Sequence, residues 1–520
     1  DLVRSRGLGD VYKRQQQYYV KANEDISLDI YEGETLGIVG ESGCGKSTLG
    51  RVLLQLYEQT AGTTMYYGMS RAELAPRYVT DTLRHAKRYI SKLHAAQARA
   101  DAASAKVSQL GEAATFFDLQ NKNLAVAEYQ TAQAHIAKIL GGFLVRDTEQ
   151  GAALLYRKAR LEERAAALSD RIRDIELMLD EAEGGTADDG KPANASQLAR
   201  LKSRCDRLTR ERDGLNAQIR EAEQSIAAIN QAHRDDQEFQ RYEAMLDDGI
   251  DLARLKYSEM RILRKDLQII FQDPYSSLNP RFTIGQIIEE GLVTHKFFRH
   301  GSPKMREHVV RTMKECGLQE YMLFRYPHQF SGGQRQRISI ARALAVHPKF
   351  VVCDECVSAL DVSIQSQIIN LLQELKQKEH LTYMFISHDL SVVRYISDRI
   401  CVMYLGNVVE LADAATVFGD PRHPYTVALL SSIPTTDMES LKKERILLEG
   451  SIPSPVKPPD GCKFHTRCWM ACDKCRRVPP PLAEIEPGHF VACHFPERKL
   501  DENGNYLFEM PKTEKKSAKE

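Results

Sequence analysis

The chain has 520 residues, enough for two to four domains of ordinary size. Its 71 basic and 71 acidic residues cancel formally, so no chain-wide basic field is available for gripping nucleic acid. With 42% hydrophobic residues, a mean hydropathy of −0.41 and no apolar run of about 18 residues, the composition excludes a transmembrane helix and is that of a soluble chain. No secretory apolar stretch lies near the N-terminus, so the expected compartment is the cytosol and any membrane role must come through a partner.

Residues 1–15 (DLVRSRGLGDVYKRQ) resemble translated sequencing-adaptor read-through and are set apart from the fold as a probable artefact. Ile26 to Gly40 then reads as strand, turn, strand. Apolar and polar positions alternate around Ile26, Leu28 and Ile30, Glu32-Gly33 forms the turn, and Thr35 to Val39 is a short buried strand. Ser47 to Leu56 follows as a helix.

The character changes at about residue 58. As far as about residue 257 the chain is rich in Ala, Glu, Arg and Gln with helical periodicity. Leu154, Lys158, Leu161, Ala165, Leu168, Ile172, Ile175 and Leu179 are spaced alternately by four and three. Leu198, Leu201, Cys205, Leu208, Arg212, Leu215, Ile219, Ala222, Ile226 and Ile229 repeat the pattern. Between these seams lies Gly184 to Ser196, a polar breaker with Gly and Pro. Two seamed helices joined by a short loop predict an antiparallel coiled-coil hairpin, with arms of roughly 40 Å. One long helix with a break is the alternative.

From Leu263 strands and helices alternate again, which predicts an α/β domain interrupted by the helical segment. Leu267 to Phe271, Lys349 to Cys353 and Thr382 to Ser387 are the expected strands. Helices are expected over Ser302 to Cys316, with Ser302 as N-cap and Pro303 in the first turn, and over Ile364 to Lys376.

Three motifs carry chemistry. Gly40-Glu41-Ser42-Gly43-Cys44-Gly45-Lys46-Ser47 fits the phosphate-binding pattern G-x-x-x-x-G-K-[ST] between a strand and a helix. Its glycines let backbone N–H groups turn inward on phosphate, at a helix N-terminus that adds partial positive charge. Lys46 would reach the β/γ-phosphates and the Ser47 hydroxyl would bind Mg²⁺, with Thr48 in the same first turn. Phe350 to Glu355 is an apolar strand ending in two acids. Asp354 would hold Mg²⁺ through its waters and Glu355 would act as general base on water. Ser331-Gly332-Gly333-Gln334 opens a third segment, at the start of a helix through Leu344.

Taken in this order, the phosphate loop, the Ser331 segment and the Phe350–Glu355 strand resemble the ATPases of the ABC class. The resemblance implies that Ser331, Gly332, Gly333 and Gln334 form the signature, which binds the γ-phosphate held by an opposite subunit. It also implies that Gln272 is the Q-loop glutamine, sensing Mg²⁺ and water, that Asp361 closes the D-loop Ser358 to Asp361, and that His388 is the switch histidine on the γ-phosphate. Gln272 to Pro280, His328-Gln329-Phe330 and His423-Pro424-Tyr425-Thr426 are similar to the oligopeptide/dipeptide importer subfamily. The implied fold is a P-loop ABC core with a helical subdomain (16–57 and 258–430), the inserted hairpin (58–257), and an importer-type extension with a tail (431–520). Cys356 departs from the family, which carries proline after the glutamate. The aromatic that stacks on adenine falls in the altered N-terminal region, where Tyr18 and Tyr19 are stand-in candidates.

Five of eleven cysteines cluster near the C-terminus. Cys462, Cys468, Cys475 and Cys493 match a four-cysteine pattern at the end of many such importer ATPases, which implies a [4Fe–4S] cluster. Spacing alone leaves zinc and unmetallated thiols open, and Cys472 with Cys475 makes a CxxC.

The expected function is ATP hydrolysis driving import of oligopeptides, dipeptides or a related solute. The expected partners are a second ATPase subunit (the same chain or a similar one), two permease subunits and, indirectly, an extracytoplasmic solute-binding protein, at the cytoplasmic face of the membrane. A coiled-coil ABC ATPase acting on DNA is the rival reading. Against it, the insertion precedes Gln272 here, whereas in those relatives it follows the Q-loop.

Overall fold

The computed structural model describes residues 20–183, 195–298, 301–433 and 446–496. The adaptor-like residues 1–15, Tyr18, Tyr19, most of the Gly184–Ser196 breaker and the tail from 497 lie outside them. In chain order the strands are β1 (Thr35–Val39), β2 (Met65–Tyr66), β3 (Ile250–Asp251), β4 (Leu267–Ile270), β5 (Phe350–Asp354), β6 (Thr382–Ile386), β7 (Arg399–Tyr404), β8 (Asn407–Asp413), β9 (Ala483–Glu486) and β10 (His489–Val491).

The chain divides into two compact units, one from Asp1–Arg51, Leu267–Thr294 and His308–Glu520, the other from Val52–Asp266 and His295–Glu307. The first is built on an eight-stranded sheet of order β4-β5-β6-β1-β7-β8-β10-β9. The pairs β4–β5, β5–β6, β6–β1 and β1–β7 are parallel, and β7–β8, β8–β10 and β10–β9 antiparallel. The central strands β1, β5 and β6 read as near-continuous apolar runs because helices cover both faces of a parallel sheet. Leu36, Ile38, Val351, Val352, Phe385 and Ile386 are fully buried there. Phosphate-loop, acidic and histidine segments all follow the C-terminal ends of neighbouring strands (β1, β5, β6), where open α/β sheets place their ligand crevice.

Ile26, Leu28 and Ile30 alternate with exposed Ser27 and Asp29 as the sequence suggests, but the segment enters no ladder among the described residues. A period-2 pattern gives an extended chain; a strand also needs a hydrogen-bonding neighbour. The helix expected over Ser47 to Leu56 runs from Lys46 to Leu53, and Gln55 then takes a left-handed φ of 52° that ends it. Pro303–Glu315 and Val362–Glu379 are helical, the second longer at both ends than its apolar period suggested.

The second unit contains helices Ala86–Leu110, Phe116–Leu140, Thr148–Glu183 and Ala195–Ala232. The last two have 36 and 38 residues, about 55 Å each at 1.5 Å per residue. Leu161, Ala165, Leu168, Ile172 and Ile175 of one pack with Leu208 and Leu215 of the other, flanked by Leu179, Leu201, Cys205 and Ile219. At the base of the pair, His233 meets Asp147 at 2.7 Å, Arg146 Nε donates to Asp236 at 2.9 Å, and Phe143 lies edge-on to Phe239 at 5.8 Å. No helix among the described residues is long and apolar enough to cross a membrane.

Candidate nucleotide site

The turn from β1 into the Lys46–Leu53 helix is a loop only glycine can make. Gly40 has φ 150° and a Cβ there would stand 2.2 Å from the Met403 carbonyl oxygen. Gly45 has φ 101° and would place a Cβ 2.2 Å from the Ala22 carbonyl oxygen. Gly43, with φ 80°, completes the turn after Ser42, while Ser47 and Thr48 lie in the first turn of the helix. Lys46 is 5% exposed, and its Nζ donates to the carbonyl oxygens of Gly40 at 2.8 Å and Glu41 at 3.1 Å. Its ammonium is thus folded back along the loop that surrounds it, the position from which it reaches an anion seated in the same turn.

The two acids after β5 differ in environment. Asp354 is buried at the strand end; Ser47 Oγ donates to its Oδ1 at 2.5 Å, and Arg51 Nη2 lies 3.4 Å from its Oδ2. Glu355 leaves the strand with a left-handed φ of 48°, its N–H donating to the Ile386 carbonyl oxygen at 3.0 Å. That turn carries its carboxylate to the crevice, where Gln272 Nε2 donates to Oε2 at 2.8 Å and His388 Nδ1 lies 3.5 Å from the same oxygen. Residues 272, 355 and 388, remote in sequence, therefore meet at one carboxylate because β4, β5 and β6 are adjacent strands. Cys353 and Cys356 flank the acids and are buried; the hydrogen bond with Cys356 and burial hold the Cys353 thiol well above its usual range.

Ser331 caps the Gly332–Leu344 helix in a capping box with Gln334: its hydroxyl accepts from Gln334 N at 3.4 Å, and Gln334 Oε1 accepts from Ser331 N at 3.2 Å. A Cβ on Gly333 would meet Ile364 at 2.5 Å, so the helix start packs closely on the Val362–Glu379 helix. Ser331 and Gly332 are exposed, as is Asp361 at the start of that second helix. Among the described residues neither Ser331 nor Asp361 bonds to the Lys46–Asp354–Glu355 group.

Sequence reasoning missed the neighbours that brace the loop. Glu41 N donates to the Tyr425 hydroxyl at 2.8 Å, and the Glu41 carboxylate takes both terminal nitrogens of Arg467, at 2.7 and 3.1 Å. Tyr425 lay in a quoted subfamily motif, His423 to Thr426; nothing in the spacing of Arg467 signalled a role.

The C-terminal cysteines are brought together only in part. Cys462, Cys468, Cys475 and Cys493 line one small cavity with Phe464 and His465. Cys472 Sγ lies outside that lining, 3.8 Å from Cys475 Sγ. Among the described residues no group of three or more His, Cys, Asp or Glu is set to hold a metal ion, so the four cysteines share a cavity without forming the compact ligand set expected of them. Burial pushes the thiols of Cys462 and Cys468 up to about 11 and about 12.

The ABC transporter family model matches residues 23–143 and 237–358, and the model for the oligopeptide/dipeptide transporter C-terminal region matches residues 409–475. A putative oligopeptide transport ATP-binding protein, YkfD of Bacillus subtilis, is 53% identical over 248 residues, 47% of this chain and 75% of that protein. The chain belongs to the oligopeptide/dipeptide family of ABC transporter ATP-binding subunits. It is an ABC-type ATPase of the kind that powers peptide import. The oligopeptide transport ATP-binding protein AppF of B. subtilis is 52% identical over 250 residues, covering 47% of this chain and 75% of that one. A putative peptide import ATP-binding protein of Brucella ovis is 52% identical over 247 residues, 47% and 77% of the two chains. Among solved structures, cbiO1 of Clostridium perfringens, part of the ABC transporter complex cbiONQ, is 28% identical with a TM-score of 0.29, over 32% of this chain and 64% of that one. The DNA-acting alternative finds no support in these relatives. The gap between the two ABC-matched segments, 144–236, is narrower than the insertion of 58–257 read from composition.

Proposed function

We propose that ATP occupies the crevice formed by Gly40, Ser42, Gly43, Gly45, Lys46, Ser47 and Thr48, and is hydrolysed there with Glu355 as general base. The observation that carries this reading is the convergence of Gln272 and His388 on one oxygen of Glu355, beside the Ser47–Asp354 pair. Glu355 accepts a proton from the attacking water. Gln272 orients that water, and His388 contacts the γ-phosphate. Ser47, Asp354 and Gln272 offer the hard oxygen donors that Mg²⁺ prefers, and the ion would supply charge neutralisation on the β/γ-phosphates. Lys46 pairs with the same phosphates once its ammonium turns from the loop carbonyls to them.

Ser331, Gly332, Gly333, Gln334 and Asp361 act in the partner's site. The exposure of Ser331, Gly332 and Asp361 suits a composite interface in which two ATPase subunits, identical or related, sandwich two nucleotides. Closure aligns water and γ-phosphate, the step at which positioning lowers the barrier. The dimer drives two permease subunits at the cytoplasmic face of the membrane, fed by an extracytoplasmic binding protein, with oligopeptides or dipeptides as solute. The ATPase domain is the discontinuous 16–57 and 258–430 segment.

The helices of 148–183 and 195–232 form an antiparallel coiled-coil hairpin, which the shared apolar seam supports. Soft sulfur donors around one cavity suit [4Fe–4S] and Zn²⁺ alike, and Cys462, Cys468, Cys475 and Cys493 would be the ligands of either. Anaerobic purification followed by iron and zinc analysis separates the two from bare thiols.

The central test is Glu355→Gln. ATP binding should persist while kcat falls by roughly 10²- to 10⁴-fold, the range of a general base. Hydrolysis at an unchanged rate would remove Glu355 from the chemistry.

A further inference from the structure

The segment between Cys462 and Cys468 makes direct contact with the phosphate loop. Arg467, 7% exposed in its side chain, grips the Glu41 carboxylate with both terminal nitrogens, at 2.7 and 3.1 Å. Such a bidentate, part-buried pair fixes geometry as well as charge. The guanidinium is held in turn by an aromatic wall. Arg467 lies 6.0 Å from the Tyr404 ring centroid and 3.5 Å from its hydroxyl, and Tyr404, Tyr425 and Phe464 pack with centroids 4.8 to 5.4 Å apart. All three rings are at most 1% exposed. The neighbouring Lys463 donates to Glu24 at 2.9 Å and to the Leu405 carbonyl oxygen at 3.0 Å.

Glu41 is thereby fixed at three points. Its carboxylate is held by Arg467, its N–H by the Tyr425 hydroxyl, and its carbonyl oxygen by Lys46 Nζ at 3.1 Å. Lys46 is the ammonium that must meet phosphate. We propose that Arg467 is a positioning residue for nucleotide binding: through Glu41 it sets the entrance of the phosphate loop, and so makes the C-terminal cysteine segment a structural regulator of ATP affinity. The effect falls on binding rather than chemistry, because the braced residue touches Lys46 and none of the Gln272, Glu355 and His388 group.

The test uses the full chain, a fluorescent ATP analogue with Mg²⁺ for Kd, and steady-state hydrolysis for KM and kcat. Arg467→Gln should raise Kd and KM together by roughly 3- to 30-fold, the range of coupling through one packed contact, with kcat changed less. Arg467→Lys should recover part of the loss. Glu41→Gln should reproduce it, and the double variant should be no worse than either single one, as expected of two residues acting through one pair. Should Arg467→Gln fold poorly in thermal melts, Tyr425→Phe removes only the hydroxyl at Glu41 N and should raise Kd in the same direction. Additive losses, or an unchanged Kd in Arg467→Gln and Tyr425→Phe, would overturn the proposal. It rests on the Gly40–Ser47 loop binding ATP, for which Lys46→Ala is the control. Binding that survives Lys46→Ala sinks that reading as well, whereas binding lost there but intact in Arg467→Gln sinks this inference alone.

Discussion

Two carboxylates show how environment divides the work among acids. Glu355 sits in the crevice on a backbone turned left-handed, where two polar side chains aim it. Glu410 lies fully buried in β8 and is structural. Its Oε1 accepts from Arg422 N at 2.7 Å and lies 2.9 Å from His489 Nε2, and its Oε2 accepts from His423 N at 3.0 Å. Burial alone would raise its pKa; the hydrogen bonds from His489, Arg422 and His423 outweigh that and leave it lowered. A lowered folded value means the charged form stabilises the fold above the ordinary carboxylate pKa of about 4.3, and the contribution is lost as pH falls through the folded value. Glu410→Gln should therefore be less stable than the parent at neutral pH, and the gap should shrink below about pH 4. Denaturant unfolding at stepped pH measures it; a constant gap would show that charge is irrelevant at this site. Gly45→Ala is the sharper test of the loop. A left-handed φ and a 2.2 Å approach to Ala22 together predict loss of nucleotide binding and destabilisation of about 2 kcal/mol or more, read by titration and thermal melting.

At the scale of elements, the strand ends gather the site. β4, β5 and β6 are neighbours, so the residues that follow them share a crevice although 116 positions separate Gln272 from His388. The apolar seam works differently: it joins two helices close in sequence. Leu168→Ala should cost about 2–5 kcal/mol locally. Hydrogen exchange should speed up within Thr148–Glu183 and Ala195–Ala232 while Kd for ATP stays unchanged. Exchange confined to the Leu168 turn would show that the two helices do not unfold together.

For the molecule as a whole, the base of the helix pair is closed by Asp147 with His233 and Arg146 with Asp236, near where the family match breaks and resumes. Replacing 148–232 with a short linker should leave the ATP dissociation constant within about twofold, since a hairpin closed at its base can be removed without moving the strands. A greater change would give the hairpin a part in the site. The composite-site reading makes a further prediction. Glu355→Gln with ATP should sediment as a dimer, alone or with a related ATPase subunit, and Ser331→Arg should abolish that dimer without weakening ATP binding to the monomer. Persistence of the dimer in Ser331→Arg would remove the signature from the interface.

Local patterning carried much of this far. A glycine-rich turn between an apolar strand and a helix, an apolar strand ending in two acids, and heptad spacing are short-range signals written in consecutive residues, and they identify chemistry and element type directly. The alternation at Ile26–Ile30 shows the limit: the extended chain is there, while a ladder depends on a neighbour that local sequence does not name. The same holds for the bracing of Glu41. Arg467 stands 426 positions away and carries no periodic or motif signal; only the packing of Tyr404, Tyr425 and Phe464 brings it to the loop. The four cysteines were legible as a group, and packing decides that they line one cavity. Residue types and their spacing thus determined a phosphate loop and a strand ending in two acids, and the family they resemble implied an ABC-type ATPase. Tertiary structure alone decided which distant side chains hold the phosphate loop, because a bidentate ion pair forms only where packing brings both partners together and aligns them.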